Sequence, residues 1–345
     1  MIPVGVLLNA EYPADELVRL GRLSEDLGYS QLWYTDIRLF RECYIGLAAL
    51  AVATKRIALG PGVTDPYSRH PAVTASTMAT LDELSGGRAL LGFGLGGTSF
   101  PELGIAMPRP ITALREAVGV MRRLLQGEEV TFEGRVITLN GGRIQFSPVR
   151  DRIPIYFATH GARIACLAGE IADGVLIANT MVPAAVDFYL AQVQEGAAKA
   201  RRSLDEIDVC LRPEACISED EEAAFAVMRG RVALRLLWTY PHWEYLEHLG
   251  VALPAELAAI AARKSAGAAD EMEARLPREV VESMAVVGSP ERVADQVASA
   301  MRPGISRIVI RMHPLPGGSI GPMLRSFVED AMPSVAAELG MSPTA

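Results

Sequence analysis

Short apolar stretches alternating with segments of helical periodicity constrain the fold of this chain more than any other feature. The predicted strands cover residues 4–8, 31–35, 56–59, 89–93, 153–158, 174–178, 207–212 and 306–311. The predicted helices cover residues 15–27, 44–54, 72–84, 111–126, 163–172, 183–201, 219–238, 289–301 and 321–332. Strands that read as continuous apolar runs are typical of a parallel sheet buried on both faces. Eight such strands favour a closed (β/α)8 TIM barrel, an α/β fold, over an open doubly wound sheet.

Two segments interrupt the alternation. Residues 130–146 predict a small surface hairpin, and residues 239–286 form an Ala-, Glu- and Leu-rich helical insertion before the last barrel unit. No shift in composition marks a second domain. We therefore expect one domain over residues 1–345, with the role of the insertion open.

Composition excludes several classes of function. The net charge of −8 and the pI of about 5.3 argue against a nucleic-acid partner, which requires a basic face. No apolar run reaches the roughly 18 residues of a membrane helix, and the first residues lack the features of a signal peptide. The four cysteines have no CxxC spacing, which favours free thiols over a metal site. These features predict a cytoplasmic protein with no metal.

In a (β/α)8 barrel the chemistry lies on the loops that follow the strands. Residues 60–71 form such a loop, with three prolines and two glycines that exclude regular structure. The loop is either a tight connector or a strained shelf against a ligand. The same rule places further residues around one mouth, namely Asp36, residues 94–100 and 159–161, Asn179, Glu214 and His313.

Two of these loops have the character of anion sites. Residues 92–97 fit the pattern G-x-G-x-x-G, but no helix is predicted before about residue 111, so the dinucleotide-binding interpretation fails. Consecutive N–H groups in a glycine turn form an anion-binding nest, and we expect phosphate or a ring edge there. Thr159, His160 and Gly161 end the fifth predicted strand before a helix, whose N-terminus can hold the same phosphate together with the Thr159 hydroxyl.

Several segments together resemble one family. They are Leu32–Asp36, Gly60–Val73, Leu81–Arg88, Gly92–Gly97 and Ala168–Val175. In their order and spacing over residues 2–180, these segments resemble the luciferase-like oxidoreductases, a flavin- or deazaflavin-dependent barrel family. The nearest branch is that of the methylenetetrahydromethanopterin reductase-like proteins, which use coenzyme F420.

The resemblance implies a cofactor, a set of contacts and an assembly. The cofactor is coenzyme F420, with FMN as the alternative. A cis peptide bond between Gly62 and Val63 would support the back of the deazaflavin ring. The implied cofactor-binding residues are Asp36, Gly62, Val63, Thr64, Leu95, Gly96, Gly97, Thr159, His160, Gly161 and Asn179. The family also implies a homodimer formed through the helices over 44–54 and 72–84.

Three side chains are predicted to face a small-molecule substrate. Arg38 and Arg69 lie on loops at the mouth, and arginine suits an anionic ligand. Tyr67 is predicted to line the same pocket.

The chain departs from its relatives where they carry proton-transfer groups. Relatives often have histidine at the position of Ile37. At the position of Gly97 the sugar-phosphate dehydrogenases of the family have glutamate and the methylene-pterin reductases an acid, and at that of Leu7 the pterin reductases have glutamate. General acid–base catalysis needs a titratable group within reach of the proton. Either the substrate needs little proton assistance, or another group serves, such as His313, Tyr67 or Glu214. We predict Asp36 and His313 as the catalytic residues, the latter because it ends the eighth predicted strand.

The predicted activity is hydride transfer between deazaflavin and a small organic substrate with a C=N, activated C=C or C–O bond. The alternatives are an FMN-dependent monooxygenase of the same fold and a non-catalytic barrel that only binds the cofactor.

Overall fold

The structure is a computed structural model and describes residues 2–159, 161–263 and 265–341. By its internal contacts the chain divides into two compact units. The N-terminal unit comprises Val4–Leu176 and Gln192–Val209, and the C-terminal unit comprises mainly Ile177–Ala191 and the chain from Cys210 onward. The expectation of a single domain stays a prediction.

The strands are short and mostly buried. They are β1 (Val4–Leu8), β2 (Gln31–Tyr34), β3 (Ala58–Pro61), β4 (Leu91–Phe93), β5 (Val130–Glu133), β6 (Thr138–Gly142), β7 (Ile155–Thr159), β8 (Gly174–Ala178), β9 (Asp208–Arg212), β10 (Glu214–Ile217), β11 (Ala285–Gly288) and β12 (Arg307–Met312).

The helices follow the strands along the chain. They are α1 (Ala14–Asp26), α2 (Cys43–Ala53), α3 (Pro71–Ser85), α4 (Phe100–Leu103), α5 (Pro110–Leu125), α6 (Ala162–Ile171), α7 (Pro183–Lys199), α8 (Glu221–Thr239), α9 (Ala255–Arg263), α10 (Ala268–Arg275), α11 (Arg278–Met284), α12 (Pro290–Ala300), α13 (Ile320–Ser326) and α14 (Met332–Glu338). A π-helical turn, Phe327–Ala331, joins the last two, and 3-10 turns cover Leu204–Glu206 and Glu244–Leu249.

The predicted helix signals are confirmed where the sequence carried caps. Helix α3 begins at Pro71 and ends at Gly86, whose φ of 69° is left-handed. The Ser289 side chain accepts a hydrogen bond from the Arg292 N–H at the start of α12. Proline at the first position and glycine after the last therefore fixed these boundaries.

In the N-terminal unit, β1 pairs with β2 and β2 with β3, all parallel, and β4 pairs parallel with β7. Isolated bridges join Leu59 to Ala89 and Thr64 to Phe93, which brings β3 alongside β4. A Cβ atom on Gly60 would overlap the carbonyl oxygen of Leu90. Glycine therefore permits the close approach of these two backbones.

In the C-terminal unit, β12 pairs parallel with β9 and with β10, and β10 pairs parallel with β11. Pro213 separates β9 from β10, since proline lacks the donor that a continuous ladder needs. Parallel strands that alternate with helices make the α/β fold of the TIM-barrel class, as predicted.

The structure also corrects three expectations. A short helix, α4, begins at Phe100, where no helix was predicted before residue 111. Glu214, expected on a loop, lies in strand β10, and the predicted helical insertion ends in strand β11. The insertion is otherwise helical, and β5 and β6 form the predicted antiparallel hairpin.

None of the helices in the described ranges is both long and apolar enough to cross a membrane.

Candidate active site

The loop after β3 carries an unusual backbone. The peptide bond between Gly62 and Val63 is cis, as the resemblance implied. Hydrogen bonds fix both sides: the Gly62 N–H donates to Tyr34 O at 2.7 Å, and the Thr64 N–H donates to Gly92 O at 3.0 Å. Gly62 and Val63 are partly exposed, whereas Pro61 and Thr64 are buried. The backbone of the loop is therefore fixed by hydrogen bonds, and the Gly62–Val63 dipeptide is its partly exposed part.

The side chain of Val63 rests on two glycines. A Cβ atom on Gly92 would lie 2.9 Å from one Val63 methyl group, and a Cβ atom on Gly94 would lie 2.9 Å from the other. Contacts that short are not tolerated without movement of the backbone or of the valine. Gly62 and Val63 are a partly exposed apolar pair packed close to these glycines, which we call the Val63 shelf.

A buried carboxylate organises the rest of this loop. Asp65 is fully buried, and its Oδ1 accepts hydrogen bonds from the N–H groups of Tyr67 and Ser68, each at 2.7 Å. Its Oδ2 accepts from the Ser68 hydroxyl at 2.8 Å and from Nη2 of Arg38. Sequence reasoning missed Asp65, although an aspartate two residues before the N–H groups that it accepts is a known turn signal.

Arg38 joins three loops. Besides Asp65, its guanidinium donates to Asp36 O at 2.6 Å and to the Ser68 hydroxyl at 2.7 Å, while the Ser99 hydroxyl donates to Arg38 O at 3.1 Å. The guanidinium also lies 5.4 Å from the centre of the Phe100 ring. The structure thus commits Arg38 to the loop frame, and its predicted contact with substrate stays a prediction.

The other predicted side chains of this unit lie around the same frame. The Asp36 carboxylate is 15% exposed and lies 3.5 Å from Nη2 of Arg38. The Tyr67 hydroxyl donates to Pro108 O at 3.0 Å, and burial raises the pKa of Tyr67. Arg69 pairs with Glu42 at 3.1 Å and lies over the ring of Tyr44.

The glycine turn after β4 offers backbone donors. Within the described part of the chain, the N–H groups of Leu95, Gly96 and Gly97 have no acceptor, whereas Gly94 donates to Thr64 O at 2.8 Å. Gly96 and Gly97 have φ values of 71° and 111°. A Cβ atom on Gly96 would lie 2.9 Å from the Asp65 carboxylate, so the turn packs against the Asp65 loop. Successive free N–H groups suit an anion or the carbonyl edge of a ring.

The turn after β7 is closed on itself. The Thr159 hydroxyl donates to Gly161 O at 2.8 Å and accepts from the Gly161 N–H at 2.9 Å. The hydroxyl therefore caps its own turn at the start of α6. His160 lies outside the described residues.

A second cluster of predicted residues lies in the C-terminal unit. Glu214 Oε2 accepts a hydrogen bond of 2.5 Å from His313 Nε2, and its Oε1 accepts one of 2.9 Å from Arg212 Nη1. The second amino group of Arg212 donates to Asn179 Oδ1 at 2.8 Å. Arg311 and Arg235 also reach Glu214 Oε1, at 3.3 and 3.5 Å. The cluster thus unites His313 and Asn179 with arginines that sequence reasoning did not single out.

Burial and the neighbouring charges shift the pKa values of Glu214 and His313. Burial alone would raise the pKa of Glu214, but Arg311, Arg212 and the hydrogen bond from His313 hold that pKa well below its usual range. Burial lowers the pKa of His313, against the opposing charge of Glu214. The imidazole is therefore neutral at pH 7, and its Nε2–H donates to an ionised carboxylate.

Two buried polar atoms of the cluster are left without a protein partner among the described residues. They are Nδ1 of His313 and Nδ2 of Asn179, and both side chains are 2% exposed. Because Nε2 carries the proton, Nδ1 of His313 presents a lone pair. Such orphaned atoms are rare in protein interiors and are a sign of a ligand site.

Comparison with known proteins now adds to this geometry. The model of the luciferase-like monooxygenase family matches residues 2–307. The chain belongs to that family. The resemblance inferred from the sequence segments is therefore confirmed.

Relatives in this luciferase-like family match over most of the chain. The 5,10-methylenetetrahydromethanopterin reductase of Methanolobus tindarius is 33% identical over 316 residues, which cover 90% of this chain and 93% of that protein. The F420-dependent glucose-6-phosphate dehydrogenase of Nakamurella multipartita is 33% identical over 251 residues, which cover 68% and 74%. The solved coenzyme F420-dependent tetrahydromethanopterin reductase from Methanopyrus kandleri has a TM-score of 0.85 at 28% identity, covering 96% and 99%.

The N-terminal unit of this luciferase-like protein fits the planar ring of a deazaflavin. The Val63 shelf is apolar and partly exposed, and a side chain at Gly92 or Gly94 would crowd Val63. Next to it, Leu95, Gly96 and Gly97 offer N–H groups that need acceptors. An apolar face bordered by backbone donors matches a ring system with polar carbonyl edges.

Proposed function

We propose that this protein is an F420-dependent oxidoreductase that moves a hydride between the deazaflavin coenzyme and a small organic substrate. The observation that carries the proposal is the glycine turn at Leu95–Gly97, whose unpartnered N–H groups border the Val63 shelf. A relative named as an F420-dependent enzyme, at 33% identity, and the solved coenzyme F420-dependent reductase, at 28%, support the choice of coenzyme.

The coenzyme, when bound, supplies the hydride chemistry, and the protein supplies position and electrostatics. We assign the ring face to Gly62, Val63 and Thr64. The N–H groups of Leu95, Gly96 and Gly97 would hold the ring edge. Asp36, Thr159, Gly161 and Asn179 remain predicted contacts of the same coenzyme.

His313 and Glu214 are the proposed proton-transfer pair. Glu214 fixes the tautomer of His313 through the 2.5 Å hydrogen bond, which leaves Nδ1 able to accept a proton. This pair would replace the histidine that relatives carry at the position of Ile37 and the acids that they carry at the positions of Gly97 and Leu7. In the direction of C–O oxidation, Nδ1 would accept the hydroxyl proton as the hydride leaves the carbon. Hydride transfer to a C=N or activated C=C bond would need little assistance from the pair.

The first test is titration of the purified protein with oxidised and reduced F420 and, separately, with FMN, followed by fluorescence. We expect tight binding of F420 alone. Preference for FMN, with oxygen consumption, would move the protein to the monooxygenase alternative. Binding of F420 without turnover of any substrate in a broad screen would leave only the non-catalytic alternative.

Gly97→Ala tests the glycine turn directly. The substitution should weaken F420 binding about tenfold or more, because a side chain would stand beside the unpartnered N–H groups. Gly28→Ala is the matched control. Both glycines have positive φ, 111° and 83°, and neither has a neighbour within 4 Å of an added Cβ atom. Equal F420 affinity in the two variants would remove the turn from the site.

We also propose a homodimer formed through α2 and α3. Large apolar side chains on these helices are exposed, including Ile45 at 74%, Val52 at 62% and Val73 at 50%. A contiguous exposed apolar face marks an interface. Light scattering should give twice the monomer mass, and Ile45→Glu should shift it toward the monomer. A wild-type monomer at micromolar concentration would contradict the dimer.

The cytoplasmic location stays a prediction.

A further inference from the structure

The charge cluster of the C-terminal unit holds more positive charge than its own carboxylate balances. Arg212 and Arg235 share one carboxylate, Glu214, at 2.9 and 3.5 Å. Arg212 is only 5% exposed, and Arg235 is 23% exposed at its side chain. His313 contributes no charge to this balance, because its imidazole is neutral. The two guanidinium groups therefore carry one positive charge more than the carboxylate that pairs with them.

Arg212 is held at some cost to its charged form. Its pKa is lowered to about 10, first by burial and then by the neighbouring charges of Arg235 and Arg311, against the attraction of Glu214. Burial also lowers the pKa of Arg235. A buried charge without a full partner destabilises a typical protein interior. An incompletely paired charge of this kind is typical of a functional site.

Asn179 gives the second, independent observation. Its Oδ1 accepts from Arg212 Nη2 at 2.8 Å, which fixes the orientation of the amide. Nδ2, the other end of the amide, is buried and has no acceptor among the described residues. Asn179 has a φ of 54°, a conformation that asparagine, aspartate and glycine adopt most readily. The amide is thus held with its donor turned away from Arg212.

The Nδ2 donor of Asn179 and the surplus positive charge of Arg212 and Arg235 both favour an anionic ligand. We propose that Arg212, Asn179 and Arg235 bind an oxyanion, a carboxylate or phosphate group carried by a ligand of the enzyme. The oxyanion accepts from Asn179 Nδ2 and from the guanidinium N–H groups that Glu214 leaves over. Guanidinium groups recognise carboxylate and phosphate with matching geometry, in keeping with either group.

The oxyanion has two possible sources, the substrate and the tail of the coenzyme. In both cases the inference rests on the proposed function for the identity of the ligand, but the anion site itself does not depend on it. The probes below therefore begin with anions alone.

The decisive variant is Asn179→Asp. Aspartate keeps the left-handed backbone and places a carboxylate beside Arg212, so the protein itself would supply the missing charge. In the wild type, inorganic phosphate and acetate, each titrated calorimetrically in a low-salt amine buffer, should bind saturably and raise the melting temperature. Asn179→Asp should melt higher than the wild type without anion and should bind either probe about tenfold or more weakly.

Arg325→Gln is the matched control, since Arg325 forms an exposed ion pair with Glu329 at 2.7 Å. It should bind phosphate as the wild type does. Absence of saturable binding of both probes in the wild type would overturn the proposal. Wild-type affinity in Asn179→Asp would overturn it as well. If circular dichroism shows that Asn179→Asp does not fold, Arg235→Gln takes its place, with the same expected loss and the same contradicting result.

Competition with F420 distinguishes the sources. If the coenzyme tail occupies the site, F420 should displace phosphate, and the chromophore without phosphate and glutamates should not. If the substrate supplies the oxyanion, the F420-loaded protein should bind phosphate with unchanged affinity. Phosphate binding without any F420 binding would leave the anion site standing and remove the proposed function. F420 binding without an anion site would do the reverse.

Discussion

Two buried carboxylates, Asp65 in the N-terminal unit and Glu214 in the C-terminal unit, are built to different rules. Asp65 receives two backbone N–H groups, one hydroxyl and one arginine, all from loops of its own unit. Glu214 accepts from three arginines and a histidine, and none of its partners among the described residues is a backbone N–H group. The first network is closed and fastens loops together. The Glu214 network has surplus positive charge and two buried polar atoms, His313 Nδ1 and Asn179 Nδ2, without a partner among the described residues. These features suit a ligand site.

The largest expected effect is that of Asp65→Ala. The change leaves Arg38 half-buried without its carboxylate and the N–H groups of Tyr67 and Ser68 without an acceptor. We expect the free energy of unfolding to fall by about 3–5 kcal/mol, measured by urea denaturation. Asp26→Ala, at an exposed aspartate, is the control and should stay within about 0.5 kcal/mol. A loss below about 1 kcal/mol would show that Asp65 does not fasten the loops.

Glu214→Gln should destabilise by about 3 kcal/mol, because buried arginines lose their shared counter-charge. Unlike the loss at Asp65, this one should be relieved by phosphate, since a bound anion stabilises the folded state by mass action. The measurement is urea denaturation of both variants with and without phosphate. Equal responses of Asp65→Ala and Glu214→Gln to phosphate would erase the distinction between the two networks.

The pH dependence of stability separates the parts of the Glu214 network. The lowered pKa of His313 means that the unfolded chain binds its proton first, so stability falls as the pH drops below about 6.5. The lowered pKa of Glu214 adds a further loss below about 4.5. One such proton gives a slope of at most about 1.4 kcal/mol per pH unit.

His313→Asn should lose the slope just below pH 6.5 and keep that below pH 4.5. Arg325→Gln should keep both slopes. Urea titrations at half-unit steps from pH 4 to 7.5 measure them, and an unchanged slope in His313→Asn would contradict a buried neutral imidazole.

The smallest expected effect is that of Ser68→Ala, which removes one donor of several to Asp65. We expect a loss of about 1 kcal/mol, with no change in response to phosphate. Ser68→Thr keeps the hydroxyl and should restore most of this loss. A loss as large as that of Asp65→Ala would mean that the hydroxyl, rather than the backbone donors, closes the network.

The sequence predicted what depends on neighbours along the chain. The strand–helix alternation, the cap at Pro71 and the loop at Gly62 and Val63 all follow from local residue chemistry. Asp65 was within reach of the same reasoning, since its turn is local. Pro213, which interrupts the strand, is a local signal of the same kind, because proline lacks the N–H donor that a continuous ladder needs.

Arg235 shows what local reasoning cannot find. It lies on α8 and reaches Glu214 from 21 positions away, so only the packing of that helix on its strands brings the two together. His313 was predicted from its place after the last strand, but its protonation depends on the partners that surround it. Which side chains share a charge is a property of the fold rather than of any segment.

The glycine turn at Leu95–Gly97 has a consequence for how such proteins diverge. It offers main-chain N–H groups, which every residue type except proline provides. A coenzyme held there, as proposed, would survive substitutions of the side chains around it. Positions such as Ile37 and Leu7 would then be free to change, and the substrate with them, without loss of the coenzyme.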